Sequence, residues 1–515
     1  MWAAAVDRRG GAEVNRRIPI RPRLVPRLRF AFGRDTTLGT FLERLAAVHG
    51  RRPFVEQHPG AVTLTYEEAA ERVACLAGGI RSKLGRVSPG ARIVIHVENG
   101  ADVFLLALAA CRAGGIAVPL TALATPDEVA QVASDSGAAL VVHSSAEVFG
   151  EALPIAAPAA PGDVAAIFFT SGTTGGPKGA ELTHQALLGS WRLGPLYPNG
   201  VRRDEIVCGL PIAHIAGFTI MTLAASLGVP VYLLERFRPL DALDAIESRR
   251  ATVFVGVPAM YRMMDEAGAE RRDLRSVRMW ASGGDTMPEE LARRFRGFGA
   301  AATCPVVGSL GNAVFVDGYG MAELAGLAGI KVALPMGTLP LLPLPGSSLK
   351  VVDAHGQEVR VGQVGELAVR GRGVLEGYHD RPDETAAVLS DGWLRTGDLA
   401  RRLPVGVALS GRSKEVIQRG GYSVFPAEVE RGLEQHPAVA EAAVVGLPDQ
   451  RLGEVPVAAL RLRPGASLEE NTIGSWARHH LAAYKVPVRF LVVDDLPRTG
   501  PEKVRREAVR RLFDT

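Results

Sequence analysis

From Thr36 to about Pro345, short apolar runs of strand length alternate with longer helical stretches, and this alternation limits the fold more than any other feature. The runs Arg92-Ile-Val-Ile-His-Val, Ala139-Leu-Val-Val-His, Ala165-Ala-Ile-Phe-Phe and Thr252-Val-Phe-Val-Gly are too short for helices. Strands separated by helices predict α/β layers with mostly parallel sheets. Beyond Pro345 the texture changes. Lys350-Val-Val-Asp and Gly365-Glu-Leu-Ala-Val-Arg alternate like strands of a smaller, partly antiparallel unit. After Arg412 another short unit follows, with a helix near Ala427 to Gln435 and strands near Ala442 to Val445 and Val455 to Arg461. The expected fold class is therefore α/β. A large N-terminal domain over residues 36–411 holds two α/β subdomains and a small β-rich one, and a small α+β C-terminal domain occupies 415–515. A length of 515 residues calls for more than one core in any case.

Residues 1–35 carry nine Arg and three acids and read as a basic, flexible arm, with at most peripheral contact to an anionic membrane. The stretch Ile206–Leu234 holds no charged residue apart from His214 and is long enough to span a bilayer. Gly209, Pro211, Gly217, Gly228 and Pro230 break it, so it reads as loop, buried helix, turn and buried strand. Cys75, Cys111, Cys208 and Cys304 are scattered with no C-x-x-C pair, which fits reduced thiols in a cytoplasmic protein better than a disulfide scaffold or zinc site. A net charge of +4 on this length gives no sign of nucleic-acid binding. Of the 59 basic residues only seven are Lys: 83, 178, 331, 350, 414, 485 and 503. Where Arg is the default cation, a retained Lys points to a need for a compact charge.

The strongest chemical signal follows the Ala165–Phe169 run: Thr170-Ser-Gly-Thr-Thr-Gly-Gly-Pro-Lys178-Gly. Hydroxyls and glycines just past a buried strand offer O–H and N–H donors to phosphate oxygens, and Lys178 adds a cation. It is not a Walker A loop, which needs Gly directly before the Lys and Ser or Thr after it; here Pro177 precedes and Gly179 follows.

That run resembles the phosphate loop of the adenylate-forming superfamily of acyl-CoA synthetases, luciferases and peptide-synthetase adenylation domains. Further motifs follow in the same order: Gly318-Tyr-Gly-Met-Ala-Glu323, Gly392-Trp-Leu-Arg-Thr-Gly-Asp398, Gly411-Arg-Ser-Lys414, Gly420-Gly-Tyr-Ser-Val-Phe-Pro and Pro497-Arg-Thr-Gly-Pro-Glu-Lys503. The resemblance covers about Thr36 to Arg511 and implies a fatty acyl-CoA ligase. Its small C-terminal domain would be mobile about a hinge at 412–414, with Lys414 the hinge residue.

By the same resemblance Thr170, Ser171, Gly172, Thr173, Thr174, Gly175 and Lys178 bind the ATP phosphates, and Tyr319 stacks on adenine. Gly283, Gly284, Asp285, Gly320, Met321 and Ala322 complete the nucleotide site. Asp398 and Arg412 take the ribose, as a carboxylate acceptor and a guanidinium donor can. Glu323 holds Mg²⁺. Lys503 bridges carboxylate and α-phosphate. His214 is either a satisfied core histidine or a neighbour of the acyl carboxylate, and the resemblance favours the second. Ile215, Phe218, Val257 and Gly318 line the acyl pocket, and Gly420, Gly421 and Tyr422 approach it for coenzyme A.

Two positions depart from the family pattern. Ala322 stands where Thr is usual, which removes a hydroxyl toward the α-phosphate and resembles fatty acyl-AMP ligases. Glu502 stands where Gly usually precedes the catalytic Lys, so a carboxylate adjoins Lys503. The stretch 213–221 has no acid to pair an ammonium, and its neighbours are apolar, so the substrate reads as a fatty acid first and an aromatic acid second. Three readings follow: a coenzyme A ligase, a ligase loading an acyl carrier protein, or a catalytically impaired acyl- or nucleotide-binding relative.

Overall fold

The computed structural model describes residues 24–33, 35–60, 62–85, 87–170, 177–198, 203–285, 287–304, 308–334, 337–412, 415–419, 422–499 and 503–514. Six strands build the first sheet. They are β2 (Arg92–Ile95), β3 (Ile116–Pro119), β4 (Ala138–Val142), β5 (Val164–Thr170), β6 (Lys178–Thr183) and the short pair Gly377–Tyr378. β4, β2, β3 and β5 run parallel; β6 turns back antiparallel on β5. Helix α4 (Ala101–Ala113), packed against α3 (Tyr66–Leu84), covers this sheet, and every one of its residues except Asp102 is buried.

The second sheet runs in the order β12 (Gly329–Leu334), β11 (Val314–Tyr319), β10 (Met279–Gly283), β9 (Val253–Gly256), β7 (Ile206–Cys208), β8 (Val231–Leu234) and β1 (Pro53–His58). Strands β11 through β1 are parallel, and β12 is antiparallel to β11. The long uncharged stretch thus folds as strand β7, loop, helix α5 (Ile215–Leu227) and strand β8. His214 caps the N-terminus of α5, and Gly228 ends it in the left-handed region at φ +68°, where a side chain would be strained. No helix among the described residues is long and apolar enough to cross a membrane.

A third, wholly antiparallel sheet joins β13 (Ser347–Val352), β14 (Val364–Gly371), β15 (Trp393–Arg402) and β16 (Val407–Arg412). The C-terminal sheet begins at β17 (Ile417–Arg419) and adds β18 (Val439–Asp449), β19 (Gly453–Leu462) and β20 (Phe490–Val493), with helix α8 (Pro426–Glu434) packed on it. A hairpin of β21 (Arg498–Thr499) and β22 (Lys503–Val504) precedes the last helix, α9 (Arg506–Arg511).

The basic arm needs a correction. Leu24–Phe32 forms helix α1, which buries Phe30 against Phe41 of α2 (Leu38–His49) with ring centroids 5.9 Å apart. Pro26 sits in the first turn, where a missing N–H costs nothing. Residues 1–23 lie outside the described residues.

Candidate active site

The C-terminal ends of the parallel strands β10 and β11 lie side by side. β11 delivers Gly318 and Tyr319 beside Gly283 of β10, and the two glycines are register partners. A Cβ on Gly283 would come within 3.1 Å of the Gly318 carbonyl, and one on Gly320 within 1.9 Å of the Gly326 carbonyl. The backbone of this segment is therefore closely packed, with no room for a side chain at either glycine. Gly284, at φ +83°, and Asp285 are exposed at the rim.

Tyr319 donates its hydroxyl hydrogen bond to Asp398 Oδ2 at 2.6 Å. Asp398 and Arg412 are cross-strand partners on β15 and β16, and Arg412 Nε lies 3.2 Å from Asp398 Oδ1. Burial first, and then the Asp398 carboxylate, push the Tyr319 phenol well above its ordinary pKa, so it stays a donor. Three of the sequence-assigned nucleotide residues are thus joined in one bonded set.

A second set adjoins it through the turn Ala322–Leu324 that follows Tyr319. Glu323 is buried there, and its Oε1 accepts the Tyr378 hydroxyl at 2.9 Å. The Tyr378 ring carries Lys178 Nζ 5.2 Å from its centroid. Lys178 is not free: its Nζ is ion-paired with Glu384 on α7 (Pro382–Val388), and Arg381 shares that carboxylate at 2.7 Å. Lys178 first, then Arg381, hold the Glu384 carboxyl below the usual carboxylate range. Thr170 turns its hydroxyl toward the Lys178 carbonyl at 3.4 Å. Ser171, Gly172, Thr173, Thr174 and Gly175 lie outside the described residues.

His214 is not a core histidine. It is exposed, and its Nδ1 accepts the Ala216 N–H at 3.3 Å. Thr219 of α5 donates to the Ala325 carbonyl at 3.1 Å, which ties this helix to the Glu323 turn. Ile215 and Val257 are nearly buried beside it, and Met321 and Gly318 are half-buried. Phe218 requires a correction. It is fully buried between Phe104 and Phe168, at 5.0 and 5.5 Å between centroids, and so packs the core beneath the site rather than lining an open wall. Ala322 is buried.

Tyr422 also stands apart from its assignment. It is 59% exposed and stacks on Tyr484 of its own domain at 4.7 Å. In this arrangement of the domains it is not at the acyl pocket. Gly420, Gly421, the hinge residue Lys414 and Glu502 lie outside the described residues, as does the side chain of Lys503; the Lys503 backbone pairs with Thr499 in the β21–β22 hairpin.

The sequence reading missed Tyr378, Glu384 and Asp317. Asp317 sits on β11 one residue before Gly318, with Oδ1 enclosed and unpartnered and Ser282 Oγ of β10 likewise unpartnered at its register position. Burial pushes the Asp317 carboxyl up to about 6, against the pull of Lys331 across the β11–β12 pair. An acid inside an apolar strand, beside a glycine-rich turn, was the signal available.

The profile of the AMP-binding enzyme family matches residues 42–156 and 144–379, and that of the AMP-binding enzyme C-terminal domain matches 428–503. The chain belongs to the AMP-binding enzyme family. It is similar to a feruloyl-CoA synthase of Amycolatopsis sp, 34% identical over 93% of this chain and 100% of that one. A long-chain-fatty-acid–CoA ligase of Bacillus subtilis is 32% identical over 67% of this chain and 60% of its own. Among solved structures, ATP-bound MatB from Rhodopseudomonas palustris superposes with a TM-score of 0.79 at 26% identity, covering 93% of this chain and 99% of that one. This family member is accordingly an adenylate-forming enzyme of the acid–thiol ligase class, with the large and small domains of that fold.

Proposed function

We infer that the enzyme activates an apolar carboxylic acid with ATP and passes the acyl group to coenzyme A. In the first step a carboxylate oxygen forms a bond to the α-phosphorus and pyrophosphate departs. In the second the thiol sulfur bonds to the acyl carbon and AMP departs. The observation that carries this reading is the pair of linked sets, Tyr319–Asp398–Arg412 and Glu323–Tyr378–Lys178, which share the segment 319–323.

The first set suits a nucleoside. Asp398 accepts ribose hydroxyls, Arg412 donates to them, and the Tyr319 ring offers an adenine a stacking face. Asp317 supplies an acceptor for the exocyclic amine. In the second set Lys178 and the hydroxyl-rich loop hold the departing phosphates, and Lys503 screens the attacking carboxylate against the α-phosphate. Among the described residues no cluster of three or more metal-ligating side chains exists, so these residues form no closed cage for a cation. One buried carboxylate, Glu323, fits Mg²⁺, which takes its remaining ligands from phosphates and water. When bound, the ion would neutralise phosphate charge. The domains would turn about Lys414 between the two steps, carrying the Tyr422 loop from solvent to the acyl group.

The acid has an apolar body and no amine, because an ammonium would find no acid along residues 213–221. Sequence alone favours a fatty acid. The full-length likeness to a feruloyl-CoA synthase favours an aryl-alkenoic acid, and we place that class first, with the fatty acid second on the Bacillus ligase. A carrier-protein acceptor is the alternative to coenzyme A. Ala322 and the likeness to ScoC, a fatty acid–acyl-carrier-protein ligase of Streptomyces coeruleorubidus at 30% identity over 88% of this chain, favour it. Pyrophosphate release is to be measured with ATP, ferulate or palmitate, and coenzyme A or a phosphopantetheinylated carrier protein. Ferulate and coenzyme A are expected to give the highest rate. No pyrophosphate with either acid and either acceptor would overturn the reading.

A further inference from the structure

The interface between the large and small domains is built from charge, and its pattern is specific. Helix α6 (Pro258–Glu266) begins directly after Val257, at the end of β9. On one face, a turn apart, it presents Arg262 and Glu266. Opposite them stand Glu441 of β18 and Arg461 of β19, which are cross-strand register partners. Arg262 Nη1 meets Glu441 Oε1 at 3.0 Å, and Arg461 Nη1 meets Glu266 Oε1 at 2.8 Å. A plus–minus pair on the helix thus faces a minus–plus pair on the sheet.

Glu441 does more than close this square. Its second oxygen accepts from Arg498 Nη2 at 2.5 Å, and Arg461 Nε approaches it at 3.5 Å. Arg498 opens β21, the strand whose Thr499 pairs with Lys503. One carboxylate therefore couples a helix of the large domain to the hairpin that carries Lys503. Its side chain is 5% exposed, and Arg262, Arg461 and Arg498 are each 16% exposed. Glu434 of α8 stands 3.7 Å from Arg262 Nη2, and Asp495 4.0 Å from Arg461 Nε, at the edges of the group.

Charge in such a place fixes geometry without adding depth. Desolvation of buried ions cancels most of their attraction, so a buried ionic contact contributes little net stability. Once the domains part, water solvates each group separately. A hydrophobic interface of equal area would hold the domains far more firmly. An interface that must open in every turnover needs definition more than strength.

We propose that Arg262, Glu266, Glu441 and Arg461 form a latch that holds the Lys503 hairpin against the large domain for the first half-reaction and is released for the second. The proposal rests on the two-step reading above. These four are positioning residues, and none touches substrate.

The test separates the half-reactions. With ferulate and ATP, Arg262→Gln and Glu266→Gln are expected to slow adenylate formation by about tenfold, within the coupling range of residues in one ionic network. With supplied feruloyl-adenylate and coenzyme A, thioester formation should be unchanged or faster, and Arg262→Lys should recover most of the first step. Glu266 lies at the interface edge, 40% exposed on its side chain, so its variant folds even if the buried one does not. Unchanged adenylation, or equal loss of both steps at an unchanged melting temperature, overturns the latch. A second readout needs no substrate: trypsin cleavage between Arg412 and Arg419 should accelerate in both Gln variants of the ligand-free enzyme. If the wild type activates neither ferulate nor palmitate, the functional reading fails while this cleavage rate still decides the latch: equal rates in wild type and variants refute it.

Discussion

Lys178 is ion-paired with Glu384, and the competition of that carboxylate with phosphate can be measured. The side chains of Lys178 and Glu384 are 21% and 34% exposed, so solvent screens the pair and its attraction is modest. In the proposed site, ATP phosphates would take Lys178 from this carboxylate. Glu384→Gln removes the competing charge and is expected to lower the apparent KM for ATP by less than about tenfold, as suits a solvent-screened pair. Lys178→Ala should raise it and slow adenylation. In the double variant the Glu384→Gln effect should vanish, because no cation remains to be released. Arg381 shares the carboxylate at 2.7 Å, and Arg381→Ala alone isolates its part. The gain should shrink at about 1 M salt, where the Debye length is about 3 Å. The assay is pyrophosphate release against ATP concentration at saturating acid. A raised KM in Glu384→Gln at low salt would mean that Glu384 orients Lys178 toward phosphate, and the competition argument would be wrong.

Three further outcomes follow from the site and its surroundings. Glu323→Gln replaces the hard anionic oxygen of the second set, so adenylation should need more Mg²⁺ to saturate; an unchanged Mg²⁺ titration would remove Glu323 from the cation site. Asp317, raised to about 6, would accept the proposed hydrogen bond from adenine best when ionised. The KM for ATP should therefore rise as pH falls from 7 to 5 and flatten in Asp317→Asn; parallel profiles would refute the contact. His184 is 3% exposed, accepts the Leu38 N–H at 3.1 Å, and has its pKa lowered to about 4 by burial. Its folded pKa lies below the unfolded value near 6.5, so its stabilising contribution is whole above about 6.5 and is lost progressively as pH falls toward 4. That loss is about 3 kcal/mol, and the fall in Tm over this window should be smaller in His184→Gln than in the wild type.

What could be read from the sequence was what lies close together along the chain. The Thr170–Lys178 loop and the segments 318–323 and 392–398 announce their chemistry because each packs several functional groups into fewer than a dozen residues. Helix α1 was hidden for the opposite reason: nine Arg in the first 35 residues outweighed the apolar spacing of Leu24, Leu28 and Ala31, and Pro26 looked like a breaker. Tyr378 and Glu384 were invisible because their partners lie 55 and about 200 positions away, and nothing local marks a tyrosine that will meet a buried glutamate.

Asp317 and Glu441 are a different case, because the sign was present and could not be interpreted. Each is a lone acid in an apolar strand, Ala313-Val-Phe-Val-Asp and Val439-Ala-Glu-Ala-Ala-Val. An ionised carboxylate in such a strand is costly unless something meets it. In the structure each has a cation at its register position on the neighbouring antiparallel strand, Lys331 for Asp317 and Arg461 for Glu441. The two then diverge. Lys331 leaves Asp317 with an oxygen unpartnered and a pKa that burial still raises. Glu441 has three arginines around it and a pKa held below its ordinary value, Arg262 opposing burial most strongly. An acid left short of partners has capacity for a ligand, whereas an acid supplied from two domains has capacity for a joint. Register and domain placement, which are tertiary facts, decide between these outcomes for what is the same pattern in the sequence.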